Sequence, residues 1–213
     1  GAEILGYSMQ DTMDVEAIMN LNPDLIVIST VQEKMYDQLS EIAPTVMIKL
    51  EALDWKEDIK SFAEVFGKED AANKWLADYE AKSEKAGDKI KAEYGEDTTY
   101  LSFLASGGQF FIFDEAGFGD VLYDDMDLAK PAGMPEQSDI SLPVVTYEGL
   151  AAIDTDYIFL IATAEDLAEL EKNAVWNNLP AVQAGHVVVL NSSPYFNQGY
   201  SPIGRELLVD EIG

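Results

Sequence analysis

The sequence predicts an α/β fold of two similar lobes, each a parallel sheet flanked by helices, joined by one long α-helix. Three observations carry this expectation. An internal echo repeats at a constant offset, apolar strands alternate with amphipathic helices inside each copy, and a long helical stretch lies between the copies.

The echo comes first. Residues 15–28 read Val-Glu-Ala-Ile-Met-Asn-Leu-Asn-Pro-Asp-Leu-Ile-Val-Ile, and residues 147–160 read Tyr-Glu-Gly-Leu-Ala-Ala-Ile-Asp-Thr-Asp-Tyr-Ile-Phe-Leu. Glu16, Ile18, Leu21 and Asp24 match Glu148, Leu150, Ile153 and Asp156 at one offset of 132. Each copy reads as a short amphipathic helix, a turn carrying the acid, and a continuous apolar strand buried on both faces. Asp14 and Thr146 stand at the same offset, where each can cap the helix that follows. Further on, Leu39, Ile42 and the strand Thr45 to Ile48 resemble Leu179, Val182 and the strand His186 to Leu190. Strand–helix–strand alternation of this kind implies parallel pairing.

The connecting helix is expected over residues 68–94. Ala72, Trp75, Leu76, Tyr79, Ala86 and Ile90 fall on one side at helical spacing. At 1.5 Å per residue it would reach roughly 40 Å. Gly95 is placed to end it, and Gly87 weakens its interior. The expected division is a first lobe over 1–67, the linking helix over 68–94 and a second lobe over 95–213. The second lobe opens with strand candidates Thr98 to Leu104 and Gln109 to Phe113, which have no counterpart ahead of Glu16. The first lobe therefore reads as incomplete, and the chain as truncated at its N-terminus.

Composition narrows the function. Among 213 residues, 40 acids face 13 bases, a formal net charge of -27. Nucleic acid and anionic lipid are poor partners for such a surface. There is no cysteine, which removes thiol nucleophiles, disulfides and cysteine metal sites. The single histidine, His186, reads as the polar first residue of a strand, and one histidine cannot build a multi-histidine metal site. No apolar run approaches the roughly 20 residues that span a bilayer. Gly1-Ala2-Glu3 is not a secretory leader, so export would require a leader already removed. No Gly-x-Ser-x-Gly, phosphate loop or histidine relay is present, and Ser106 has no histidine partner, so an enzyme is not expected.

Several segments together resemble the helical-backbone class of ABC-importer binding proteins, which carry ferric siderophores, haem or cobalamin. They are Asp14 to Ile18 leading to Asn22 to Val27, Gln38 to Val46, Trp55 to Asp58, Leu76 to Tyr79, Val121 to Asp125 and Trp176 to Val182. The resemblance implies a class III periplasmic-binding-protein-like fold: two Rossmann-like lobes facing across a cleft, with a small hinge motion. It also implies docking on a membrane permease through one exposed glutamate per lobe, at positions matching Glu16 and Glu148. The family's one or two opening strands, with their ligand-contacting loops, are absent from this chain. The residues themselves allow a plainer role for both glutamates, as favourable charges in a first helical turn.

Ligands of open α/β sheets bind beyond the carboxyl ends of the strands. That directs attention to three loops: Ala105 to Gly108 followed by Phe110, Asp114 to Gly119 with Phe118, and Ser192 to Tyr200. In the last, Tyr195, Phe196, Asn197 and Tyr200 offer aromatic and amide groups suited to a bulky chelate. Phe111 and Phe113, spaced on one strand face, are expected in the core. Arg205, the single arginine, follows on the next helix and completes the ligand-contacting set. With so few bases, a neutral or cationic cargo such as a ferric hydroxamate fits better than a trianionic tris-catecholate. The expected function is capture of a ferric siderophore in the inter-lobe cleft by a monomeric, extracytoplasmic, lipid-anchored or periplasmic protein. No intrinsic cofactor is expected, and ferric iron enters only within the chelate. The alternatives are the siderophore-sensing domain of a transcription regulator, and a haem- or cobalamin-binding protein of the same fold, where haem would take Tyr195 or Tyr200 as axial ligand.

Overall fold

Asp14 starts the first helix of the computed structural model, which describes residues 12–50, 53–139 and 141–213. Its carboxylate accepts the Ala17 N–H at 3.0 Å, and Asn22 closes the same helix, α1 (Val15–Leu21), in the left-handed conformation. The opening residues Gly1 to Glu3, read above for a leader, lie outside the described residues. No helix among the described residues is long and apolar enough to cross a membrane.

The chain divides into two compact units, Gly1–Trp75 and Leu76–Gly213. In the first, β1 (Ile26–Ser29) and β2 (Thr45–Ile48) pair in parallel, Ile26 opposite Thr45, through a short 3₁₀ turn and α2 (Tyr36–Ser40). Ile18, Ile26, Ile28, Met35, Leu39 and Ala43 form its core. β1 alternates buried with half-buried residues. Its sheet is thus covered well on one face only among the described residues, against the expectation of burial on both. The amphipathic helix α3 (Trp55–Phe66) follows, capped by Asp54 at one end and by Gly67 at φ 59° at the other.

The long helix α4 (Glu69–Tyr94) lies where helical spacing placed it, and Gly95 follows it at φ 106°. Gly87 is not simply a weak point. A methyl group there would lie 1.9 Å from the Met126 carbonyl oxygen, so only glycine lets α4 approach that turn.

The second unit is built on a five-stranded sheet of order β5-β4-β3-β6-β7. β3 (Tyr100–Ser106), β6 (Tyr157–Ala162) and β7 (Val187–Asn191) are parallel, as the echo required. β4 (Gln109–Ile112) and β5 (Val144–Val145) are antiparallel to their neighbours, which corrects the all-parallel expectation. The physical reason is a two-residue hairpin. Gly107 and Gly108 sit at φ 59° and 77°, the conformation that reverses a strand within two residues.

The second copy of the echo is α6 (Tyr147–Ala151), capped by Thr146 and leading into β6, just as Asp14 caps α1 ahead of β1. β6 is buried on both faces. One face of the sheet carries Leu101, Phe103, Phe110, Ile112 and Leu160, packed against Leu150 and Trp176. α7 (Ala164–Leu170), α8 (Ala174–Asn177) and α9 (Pro180–Gln183) complete the crossover to β7, and His186 stacks on Tyr157 just before it. On the opposite face lie Phe159 and the helical turn α5 (Phe118–Asp120), with ring centroids of Phe118 and Phe159 5.6 Å apart. Two helices, α10 (Ser192–Gln198) and α11 (Pro202–Ile212), end the chain.

Candidate functional site

Residues 192–200, expected as a loop, are mostly helical. Asn191 caps α10 through the Ser193 N–H, and the helix starts where β7 ends, at the carboxyl edge of the parallel strands. Asn197 is exposed; Tyr195 and Phe196 are half-buried. The Tyr195 hydroxyl donates to the Glu211 carboxylate on α11, a bond that raises the phenol's pKa. The Phe196 ring packs between Phe113 (6.0 Å) and Tyr200 (5.8 Å).

Tyr200 is 39% exposed, and two glycines fix its position. Gly117 has φ 63°, and a methyl group there would lie 2.8 Å from the Tyr200 ring. A methyl at Gly199 would lie 2.4 Å from the Gly117 carbonyl carbon. The Asp114–Gly119 segment and the end of α10 therefore touch backbone to backbone, with the phenol lying across Gly117. Burial pushes the Tyr200 pKa up to about 12, and the nearby Arg205 charge opposes that rise.

Three of the seven ligand candidates are core residues. Phe110 is 1% exposed and packs edge-on against Phe103 and Tyr147, on the face of the sheet opposite the Tyr200 cluster. The expected parity of this strand was therefore inverted: Phe110 and Ile112 face the core, while Phe111 is half-buried. Phe113 is buried as expected, just past the strand. Phe118 is fully buried against Phe113 and Phe159, so its ring offers no open face. Because β4 runs antiparallel, with Ile112 opposite Phe103, the segment after it leads back along β3 rather than out beyond its carboxyl end.

Arg205 is the third correction. It is 3% exposed, and its Nη1 lies 2.6 Å from Asp120 Oδ2 and 2.9 Å from Asp125 Oδ2. The Tyr79 hydroxyl, from α4, donates to Asp125 Oδ2 at 2.7 Å. α11 buries Gly204, Arg205, Leu208 and Val209, so the guanidinium sits on the core face of its helix and its partners are built in. Burial raises the Asp120 pKa to about 6; Arg205 pulls it down, and Asp125 adds to the rise. Burial and the adjoining Asp125 carboxylate raise the Tyr79 pKa. Sequence reasoning missed Asp120, Tyr79 and the Gly117–Gly199 contact.

The first predicted segment, Ala105 to Gly108, is the hairpin turn. It walls an open hollow of ≈ 540 Å³ with Tyr147, Glu165, Asp166 and Glu169. Asp166 holds the turn by accepting the Gly107 N–H at 3.0 Å. Glu16 and Glu148 are both exposed, each the second residue of its capped helix. The Glu148 carboxylate accepts from Thr146 Oγ1 at 2.9 Å; its own backbone N–H and that hydroxyl hold its pKa below the usual range. Among the described residues, no group of three or more His, Asp or Glu side chains is arranged to hold a metal ion.

The family model of periplasmic binding proteins matches residues 4–194. The chain belongs to the periplasmic binding protein family. Its members bind rather than catalyse. This binding-protein chain is 33% identical over 204 residues to the iron(3+)-hydroxamate-binding protein FhuD of Bacillus subtilis (strain 168). That match covers 92% of this chain and 63% of the relative, so the chain spans less than two-thirds of the relative's length. It is also similar to a FhuD fold-family structure from Bacillus subtilis, the periplasmic binding protein component of a Fep/Fec-like ferrichrome ABC transporter. There the TM-score is 0.79 at 32% identity, over 93% of this chain and 75% of the other. The triscatecholate siderophore binding protein FeuA from Bacillus subtilis, complexed with ferri-bacillibactin, is similar at TM-score 0.72 and 25% identity, over 94% and 73%. These likenesses agree with the class III α/β fold read from the sequence.

Proposed function

We propose that this chain is the substrate-binding component of an ABC importer that captures a ferric siderophore outside the cytoplasm and delivers it to a membrane permease. The observation that carries the reading is the run Tyr195, Phe196, Asn197 and Tyr200 at the end of α10, where Phe196 and Tyr200 pack 5.8 Å apart. Asn197 and Tyr200 are exposed and the half-buried Phe196 ring packs against Tyr200, at and just past the end of a helix that begins at the carboxyl end of β7. Such a face suits a bulky chelate with an apolar rim and carbonyl oxygens.

Within this reading the cargo is a hydroxamate. The single arginine is engaged by two aspartates, and Lys130 by Asp114 (2.7 Å) and Glu115 (2.9 Å). Little positive charge is left on this unit's candidate face for a trianionic tris-catecholate. The likeness to a hydroxamate-binding relative supports the same choice, while the likeness to a triscatecholate-binding one leaves the contrast to experiment. Glu16 and Glu148, exposed at equivalent places in the two units, are the permease-docking residues of this account.

The test is quenching of intrinsic fluorescence, reported by Trp55, Trp75 and Trp176, against a ferric hydroxamate, a ferric catecholate, ferric citrate, haem and cobalamin. Saturable quenching by the hydroxamate alone is expected. Tight catecholate binding would overturn the charge argument, and selective binding of haem or cobalamin would overturn the siderophore reading.

A further inference from the structure

Away from the candidate face, three tyrosines and the single histidine gather at the amino ends of the parallel strands. Tyr100 and Tyr157 open β3 and β6 opposite each other, and Tyr94 ends α4. The Tyr157 ring stacks on His186 at 4.3 Å and on Tyr100 at 5.6 Å. Tyr94 meets the Tyr157 ring at 5.3 Å, with the two planes at 63°. The turn that joins α4 to β3 holds this pair in place. Thr98 Oγ1 donates to the Tyr94 carbonyl at 2.6 Å, and the Thr99 N–H donates to the Asp156 carboxylate at 2.9 Å. The Tyr157 N–H in turn donates to the Thr99 carbonyl at 3.0 Å.

Exposure and proton acceptors separate the three phenols. A tyrosine that loses an electron must also shed its phenolic proton, because an uncompensated charge in the interior is costly. Tyr94 is 48% exposed, and hydrogen bonding to the Glu93 carboxylate raises its pKa, so a proton acceptor stands beside it. Tyr157 is half-buried. Tyr100 is 3% exposed, its hydroxyl has no hydrogen-bond partner among the described residues, and burial pushes its pKa up to about 12. The chain has no cysteine, so no thiol competes for an oxidising equivalent.

We propose that Tyr94 and Tyr157 are a site of oxidative modification, joined as an intramolecular dityrosine when the protein meets a peroxidase-type one-electron oxidant. Each phenol gives one electron to the oxidant, and its O–H proton passes to Glu93 or to solvent. The two phenoxyl radicals couple through one ortho carbon of each ring. The ring hydrogens displaced there move to the oxygens and restore both phenols. The pair loses two hydrogen atoms in all, and one hydrogen peroxide becomes two waters. The new bond ties the end of the long helix to the first residue of β6. This site is independent of the siderophore reading.

The test treats the full chain, dilute enough to suppress coupling between molecules, with a haem peroxidase and hydrogen peroxide. Proteolysis and mass spectrometry follow. The expected product is a peptide pair containing residues 94 and 157, lighter by two hydrogens than its separate members, from chains that remain monomeric. Tyr94→Phe and Tyr157→Phe should each abolish it. Tyr100→Phe, which removes only the buried hydroxyl, should leave it in place. Oxidation should also raise the urea midpoint of the wild type, because a tie between distant residues restrains the unfolded chain, and should not raise that of Tyr94→Phe. Coupling between chains only, a pair that uses Tyr100, or a 94–157 signal that survives Tyr94→Phe would overturn the inference. So would oxidation of the chain with no joined peptides.

Discussion

Replacing Gly87 with alanine should destabilise the protein, although helix propensity taken alone predicts the reverse. In an exposed helix interior, glycine to alanine gains about 1 kcal/mol. At position 87 the added methyl would lie 1.9 Å from the Met126 carbonyl oxygen and 2.8 Å from its carbonyl carbon. Relief requires a shift of more than 1 Å between α4 and the turn at Met126. That turn cannot yield cheaply. Met126 is fully buried, its N–H is bonded to the Val121 carbonyl at 3.0 Å, and the adjacent Asp125 is held by Arg205 and Tyr79. Overpacking of a dense core costs about 1–3 kcal/mol, and backbone against backbone belongs at the top of that range. The net loss is then about 2 kcal/mol, or on the order of 5 °C in Tm for a chain of this size. Urea unfolding should show a lower midpoint with an unchanged slope. Ala81→Gly, at an exposed interior position of the same helix, should cost about 1 kcal/mol and serves as the reference. If Gly87→Ala matched or exceeded the wild-type midpoint, the close-approach argument would be wrong and propensity would govern this site.

Two further predictions concern the buried group of Arg205, Asp120 and Asp125. Arg205→Met should lower stability by about 3–5 kcal/mol at pH 7, because the buried Asp120 and Asp125 carboxylates would lose the guanidinium that faces them; urea midpoints at pH 5 and pH 7 check it, with the smaller loss at pH 5. Asp120 titrates in the folded chain at about 6 against an ordinary 3.8, so its contribution to stability is fully present below 3.8 and is lost as the pH rises through about 6. That loss is on the order of 3 kcal/mol at most. Asp120→Asn should therefore flatten the stability profile between pH 4 and 6.5 relative to wild type, and an unchanged difference between the two across that window would refute the assignment.

The sequence disclosed those parts of the fold that depend on local periodicity and repetition. The 132-residue echo located two capped helices and two parallel strand–helix–strand units, because Asp14 and Thr146 do the same hydrogen-bonding work ahead of the same apolar pattern. The long helix was legible from its stripe of apolar residues. What the sequence does not disclose depends on register or on distant partners. One residue of parity separates Phe110 from Phe111, and in a short run of Gln-Phe-Phe-Ile-Phe the apolar pattern alone cannot choose. Gly107-Gly108 between two apolar runs is a readable hairpin signal, and the hairpin it makes replaces the expected ligand loop. Arg205 was also readable, since Leu208 and Val209 at three and four residues on put it on the buried face of its helix. Its partners, 80 and 85 residues earlier in the chain, were not. The glycine contact that seats Tyr200 involves residues 117 and 199, and no local pattern announces such a meeting.

The central claim, that a ferric hydroxamate is held by the 195–200 face of the second unit, is tested most directly by amide hydrogen exchange with and without saturating ferric hydroxamate. The account predicts added protection in residues 192–200 and 115–120, with the hairpin 106–109 and α7 unchanged. Protection centred on that hairpin and its ≈ 540 Å³ hollow instead, or no change anywhere in the second unit, would contradict it.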